Sequence, residues 1–332
     1  MKNGEWQPIE ALSFDDVLLE PQYSEVESRD DVTLSSRVSD IWMPTPIFSA
    51  NMPGVTNWMV AREMAKNGGL GILPREFGVL HQVASAKLAR ETERFYAIFA
   101  AIGLTDVEET TKRLDDADIG IAIDVAHAHH RRVADAIETV KRVYRGTLIV
   151  GNIATADGAR FLFEHGADIV RVGIGSGSIC TTRLCTGFGV PQVTAIDSVA
   201  RVRDRNYPKC GVIADGGIRH AGDIVKALAL GADAVVLGSL LAGTTEASPG
   251  VIDGEIIYSG ATAHNEKYRE GVSVKIPPKG SVEDVIRELR EGIASGLSYA
   301  GAYNIKELRD NALFRKITRA AWQESLPHIQ SR

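Results

Sequence analysis

The chain reads as a (β/α)₈ barrel, and three observations predict it. Eight short apolar runs, many of them β-branched, recur along 45–238. Longer amphipathic stretches separate them, as alternating strand and helix units would. Polar and glycine-rich residues gather where each apolar run ends, the rim at which such barrels carry their chemistry.

Taken in order, the runs are "TPIFSA" (45–50), "GLGIL" (69–73), "YAIFAAIG" (96–103), "IGIAID" (119–124), "TLIVGN" (147–152), "DIVRVG" (168–173), "CGVIAD" (210–215) and "DAVVLG" (233–238). Continuous apolar runs of this length suit parallel strands buried on both faces. The intervening "HRRVADAIETVKRVYRG", "ADGARFLFEHGA" and "HAGDIVKALALGA" have helical periodicity, and the last two close on Gly before the next strand. An open doubly wound sheet is the alternative arrangement of the same units. We read a single catalytic domain over 1–332, with an N-terminal extension (1–44) and a C-terminal segment (251–332). In that segment "SVEDVIRELREGIASGLSYAG" begins with a Ser–x–x–Asp cap.

Composition narrows the function classes. Hydrophobic residues are 44% and charged ones 24%, enough to bury a large core. A net charge of -6 argues against a general nucleic-acid binder, because phosphate backbones are met by a basic face. No apolar run approaches the ~20 residues that span a bilayer, and "MKNGEWQPIE" lacks the apolar core of a signal peptide. The three cysteines, Cys180, Cys185 and Cys210, form neither a disulfide framework nor a zinc knuckle. These features point to a reducing cytoplasm, without membrane or nucleic-acid partners. His127, His129 and His130 cluster in "DVAHAHHRR"; a loop lining a nucleotide site suits them better than a metal centre.

On the expected rim lie Asn51–Met52, Arg75, Asp124, Asn152, "GIGSGSICTTR", "DGGIR" and "GSLLAG". Loops after the seventh and eighth strands commonly bind phosphate in these barrels. Here Gly216, Gly217 and Gly238 permit close backbone approach, while Ser178 and Ser239 offer hydroxyls. Asp215, acceptor-only when ionised, suits a ribose diol. The "GIGSGS" run is not a dinucleotide fingerprint, because it sits at the sixth strand rather than opening a first βαβ unit. Cys180, directly behind that run and followed by Thr181, Thr182 and Arg183, is the candidate nucleophile; Cys185 and Cys210 have weaker contexts.

These residues resemble the IMP dehydrogenase and GMP reductase family across nearly the whole chain. The resemblance is carried by "LSFDDVLLEP" (12–21), "DVAHAHH" (124–130), "GNIAT" (151–155), "GADIVRVGIGSGSICTTR" (166–183), "GFGVPQ" (187–192), "IADGGIR" (213–219), "GSLLAGTTEASPG" (238–250) and "SYAGAYNIKELR" (298–309). It implies a purine 5'-monophosphate on the rim, a Cys180 thiolate attacking C2 of the base, and a hydride passing between C2 and a nicotinamide. It implies that Ser178, Gly217, Gly238, Ser239 and Tyr258 hold phosphate and that Asp215 holds ribose. Ser49, Gly216 and Gly271 complete the implied substrate set. Thr182, Glu270, Asp124 and Arg75 join Cys180 in catalysis. Asp124, Ala126, His127 and Asn152 face the cofactor. A monovalent cation, K⁺, is implied at Gly173, Gly175 and Cys180, and so is a homotetramer or octamer.

The two branches of the family run opposite reactions. The dehydrogenase oxidises IMP and hydrolyses the covalent intermediate, typically with a mobile flap and often with an inserted regulatory domain. The reductase deaminates GMP and accepts hydride from NADPH. Here "PREFGVLHQVASAKLARETERFYAIF" runs straight into the third strand, only "SGATAHNEKYR" separates Tyr258 from Glu270, and "TGFG" (186–189) is reductase-like. "TTRL", "GVPQ", "GSLLAGTTEASPG" and "ESLPH" resemble dehydrogenases instead. Weighing a missing water-activating device most heavily, we expect a GMP reductase using NADPH, with an IMP dehydrogenase using NAD, or a non-catalytic relative, as alternatives. "MPGVT" (52–56), Ala128, His130, Arg75 and "YSGATAHN" depart from the family pattern and bear on base and cofactor preference.

Overall fold

The computed structural model describes residues 8–90, 98–248, 256–259 and 271–326. Eight parallel strands close into a barrel: β1 (Ile47–Ser49), β2 (Leu70–Leu73), β3 (Ile98–Ile102), β4 (Gly120–Asp124), β5 (Leu148–Ile153), β6 (Ile169–Val172), β7 (Gly211–Asp215) and β8 (Ala234–Leu237). Closure is made by β8 against β1, with Val235 opposite Ile47 and Leu237 opposite Ser49. Seven of the eight strands fall inside their apolar runs, and β5 runs one residue past its own, to Ile153. The reason is burial on both faces: β3 and β8 expose no residue to solvent, so each position selects an apolar side chain.

The helices pack outside this ring, and their ends follow local chemistry. Helix Arg131–Val143 buries Val133, Ala134, Ala136, Ile137 and Val140, the one-sided stripe read from its periodicity. Helix Val282–Tyr299 starts where the Ser281 hydroxyl accepts a hydrogen bond from the Asp284 amide, the expected cap. No helix among the described residues is long and apolar enough to cross a membrane.

The segments outside the barrel position the site. A hairpin of Ser36–Val38 and Ile41–Met43 sits at the N-terminal end, where Val38 packs on Gly211 at the start of β7. The N-terminal extension then reaches the opposite rim. The Leu12 amide donates to Thr194 Oγ1 (2.8 Å), and Phe14 is buried against the loop carrying Gly217. An antiparallel pair, Ile256–Ser259 with Ser273–Ile276, stands over the rim on either side of 260–270.

Candidate active site

Two cavities meet on the C-terminal rim. The first, about 280 Å³, is lined by the loops after β6, β7 and β8 together with Ser13, Phe14 and Asp15 of the extension. Ser178, Asp215, Gly216, Gly217, Gly238, Ser239 and Tyr258 all line it, so the expected phosphate and ribose residues are brought together. The second, about 370 Å³, is lined by Cys180 and Thr182 on one side and Arg75, Asp124, Ala126 and Asn152 on the other. Met52, Gly175, Gly177, Ser178 and Tyr258 line both. The two cavities therefore share a wall, and the way from the first into the second runs past the cysteine.

The cradle depends on close approach. A Cβ on Gly238 would lie 2.8 Å from the Tyr258 hydroxyl, and Gly216 has φ +90° beside Ser176 Oγ. Tyr258 is buried, and that burial pushes its pKa up to about 12. A hydrogen bond with Ser178 opposes the rise and the Asp215 charge adds to it. The phenol is a neutral donor at every working pH, suited to an anion's oxygen.

Cys180 Sγ lies 3.2 Å from Thr182 Oγ1, within reach of a sulfur hydrogen bond, and the cysteine is half-buried. Its loop turns sharply, with the Cys180 amide donating to the Gly177 carbonyl (3.1 Å). The short helix Thr182–Thr186 then ends on Gly187 at φ +76°. Opposite the cysteine, Gly271 forms an antiparallel bridge with Cys180, and the Val272 amide donates to the Ile179 carbonyl (3.1 Å). The strand leaving 260–270 is thus latched to the backbone of Cys180. Cys185 is exposed on the helix, and Cys210 begins β7 at the far end, where burial raises its thiol pKa.

The carboxylates are organised by a residue that the sequence reading passed over. Arg171, in the middle of β6, donates to Asp215 Oδ2 (2.6 Å) and to Asp124 Oδ1 (3.2 Å). Burial pulls the guanidinium's pKa down, but the Asp215 and Asp124 charges overcome this and carry it above its ordinary value. Asn152 Nδ2 donates to the same Asp215 Oδ2 (2.8 Å) and to the Gly173 carbonyl (2.9 Å). Both bonds to Asp215 use one oxygen, which leaves Oδ1 for a ligand hydroxyl. Arg75 Nη1 donates to the Asp124 carbonyl (3.2 Å) at the outer edge. A lone arginine inside "DIVRVG" was the available signal, since an ionised side chain in a doubly buried strand must be paired.

The lining of the second cavity offers polar groups that would suit a nicotinamide amide, Asp124, Asn152 and Arg171 among them. Among the described residues Arg171 Nε is buried without a hydrogen-bond partner. Not every expected residue reaches the cavities. Ser49 is wholly buried at the end of β1, where Thr56 Oγ1 lies 2.8 Å from its hydroxyl. His127 is exposed and lines neither cavity; burial of its ring, then His129 and His130, lowers its pKa. Of the positions considered for a cation, the Gly173 carbonyl already accepts from Asn152. Among the described residues no group of three or more His, Cys, Asp or Glu side chains could hold a metal ion. Glu270 lies outside the described residues.

The fold and rim together define a (β/α)₈ barrel that places a cysteine between an anion cradle and a carboxylate-lined pocket. The chain belongs to the family described as the IMP dehydrogenase / GMP reductase domain, which matches residues 11–328. It is 43% identical over 275 residues to an inosine-5'-monophosphate dehydrogenase of Methanocaldococcus jannaschii, a match covering 72% of this chain and 54% of that protein. A protein of the same name from Aquifex aeolicus is 43% identical over 261 residues (69% and 51%). Another from Staphylococcus saprophyticus is 42% identical over 255 residues (69% and 52%). The chain spans about half the length of the curated relatives it matches.

These relatives overturn the expectation of a GMP reductase and of a layout closest to one, because the proteins sharing this sequence are named dehydrogenases. The physical error was to equate a short segment with a missing base. "GATAHNEKYRE" (260–270) carries His264, Glu266, Tyr268, Arg269 and Glu270, side chains able to take a proton or steer a water.

Proposed function

We propose that this chain oxidises IMP to XMP with NAD, through a covalent intermediate on Cys180. The observation that carries the proposal is Cys180 Sγ, 3.2 Å from Thr182 Oγ1, lining a cavity continuous with the phosphate cradle. Phosphate held by Ser178, Gly217, Gly238, Ser239 and Tyr258, and ribose held by Asp215 Oδ1, set the reach of the base into the second cavity. Anchoring at that distance converts a bimolecular attack into a positioned one.

The thiolate of Cys180 adds to C2 of the hypoxanthine. The hydrogen on C2 leaves with its electron pair, so carbon is oxidised and stays bonded to sulfur as a thioimidate. Asp124, Asn152 and Arg171, which line the second cavity, would hold the nicotinamide end of NAD, and bound there it would supply the acceptor for that hydride. Water then adds to C2, the C2–sulfur bond breaks, and XMP leaves with release of one proton as the thiolate is restored. Thr182, at hydrogen-bond distance from sulfur, passes a proton but carries no useful charge of its own. Glu270 immediately precedes Gly271, whose backbone pairs with Cys180, and we assign it the carboxylate role toward the base. Arg75 holds its charge and positions Asp124 rather than relaying a proton.

Large exposed apolar side chains, Tyr23, Trp42 and Tyr299 among them, support burial against further copies as a homotetramer or octamer. Light scattering that gave a 35.9 kDa monomer would contradict this. The functional test mixes the protein with IMP and NAD and follows reduced nicotinamide and XMP together. Equal formation of both is expected. Consumption of NADPH with GMP and release of ammonia, with no product from IMP, would overturn the proposal.

A further inference from the structure

The cradle raises a question of charge. A 5'-phosphate brings close to two negative charges, and besides the glycine-rich backbone, Ser178, Ser239 and Tyr258 the lining carries two guanidinium groups. Arg219 is gripped by Asp15 and lies 3.7 Å from Asp223, so carboxylates already compensate its charge, while Arg183 donates to the Val190 carbonyl (3.0 Å) and keeps its charge. One uncompensated cation leaves part of a dianion's charge unmatched once water is excluded.

Directly behind the cradle stands a cation that lines neither cavity. The Lys279 ammonium donates to the carbonyl of Ser239, the residue whose hydroxyl side faces the anion site. Its position is fixed by the backbone. The Lys279 amide donates to the Gly243 carbonyl (2.9 Å), and the Thr245 amide donates to the Gly280 carbonyl (2.8 Å). Gly243 sits at φ +89°, where a Cβ would lie 2.8 Å from the Pro277 carbonyl oxygen, so the two segments are pressed together. Among the described residues no charged side chain acts on this amine. Burial lowers its pKa, and no neighbouring charge offsets that. A half-buried ammonium without a counter-ion costs free energy in the empty protein, and a bound anion would recover it.

We propose that Lys279 is a positioning residue for the 5'-phosphate: it orients the Ser239 peptide and adds positive charge behind the cradle. This rests on the nucleotide reading above. A trans peptide points its carbonyl and the next amide in opposite directions, so holding the Ser239 carbonyl also fixes the Leu240 amide. The ligand it serves is a phosphate monoester, whatever base the ester carries.

The test compares wild type, Lys279→Met and Lys279→Arg by calorimetric binding of IMP, inosine and ribose 5-phosphate, with kcat and KM for IMP. Lys279→Met should weaken IMP and ribose 5-phosphate about tenfold, the order one cation contributes to an anion across a partly solvated site. Inosine binding should not change. KM should rise by the same factor while kcat stays within about twofold, because the chemistry occurs at C2. Lys279→Arg should restore most of the affinity. IMP binding within about twofold of wild type in Lys279→Met would overturn the proposal. So would an equal loss for inosine, which marks a merely structural role. Should wild type bind ribose 5-phosphate but not IMP, the purine reading falls, and the lysine is judged on the sugar phosphate by the same tenfold criterion.

Discussion

Replacing Arg171 with Met tests the electrostatic design of the site. The side chain is 5% exposed and holds two carboxylates that are themselves only 17% and 19% exposed. Methionine fills similar space but leaves Asp215 with Asn152 as a neutral donor and Asp124 with only the outer Arg75 at 4.0 Å. Removing one partner of a buried ion pair costs about 3–5 kcal/mol, and the partial exposure of the carboxylates favours the lower end. For 332 residues the unfolding entropy is about 0.7 kcal/mol per kelvin. A loss of ~3 kcal/mol therefore lowers the melting temperature by about 4 °C. Activity should suffer more than stability. Asp215 loses its 2.6 Å contact, and a misplacement of about 1 Å at a positioned substrate costs on the order of 10²-fold in kcat/KM. Arg171→Lys keeps the charge but cannot span both carboxylates, so it should fall between. Calorimetry and steady-state kinetics on the three proteins decide the matter. A Met variant that melts within 1 °C of wild type, with kcat/KM within threefold, would refute the reasoning.

Two further predictions follow from the cradle. Gly238→Ala pushes a methyl group to 2.8 Å from the Tyr258 hydroxyl, and overpacking of this kind costs about 1–3 kcal/mol; KM for IMP should rise at least tenfold, and an unchanged KM would show that Tyr258 can move aside freely. Because the Tyr258 pKa is about 12, its phenol stays protonated across the working range, so KM for IMP should not rise between pH 7 and ~9.5 through loss of this donor. Tyr258→Phe should raise KM by a similar factor at both ends of that range. A Phe variant whose penalty vanished toward pH 9.5 would mean that the wild-type phenol ionises there.

Much of this was legible in the sequence because doubly buried strands tolerate few residue types. All eight apolar runs became barrel strands, and knowing where strands end located Cys180, Asp124, Asp215 and the glycine loops on one rim. Less legible was anything set by three-dimensional pairing. Arg171 looked like one charge in a strand, yet it joins two carboxylates 47 and 44 positions away in sequence. Phe14 and Asp15 lie in a single 3-10 turn, Phe14–Asp16, too short for any periodicity to announce, so their part in the cradle emerged only from the path of the chain. Lys279 acts through a carbonyl 40 positions earlier, a contact that no local pattern announces. Ser49 and His127 show the converse: both sit beside functional residues in sequence, but one points into the core and the other into solvent. Reaction direction was misread because segment length was allowed to outweigh the residues that the segment contains.

The account stands most directly on sulfur bonding to the base. Wild-type protein mixed with IMP and NAD, quenched in acid during turnover and weighed intact, should carry one nucleotide as the thioimidate, a gain of IMP less two hydrogens. Peptide mapping should place it on Cys180, and Cys180→Ala should carry none and form no reduced nicotinamide, while Cys185→Ala behaves as wild type. Steady release of XMP and reduced nicotinamide by Cys180→Ala would contradict the account at its centre.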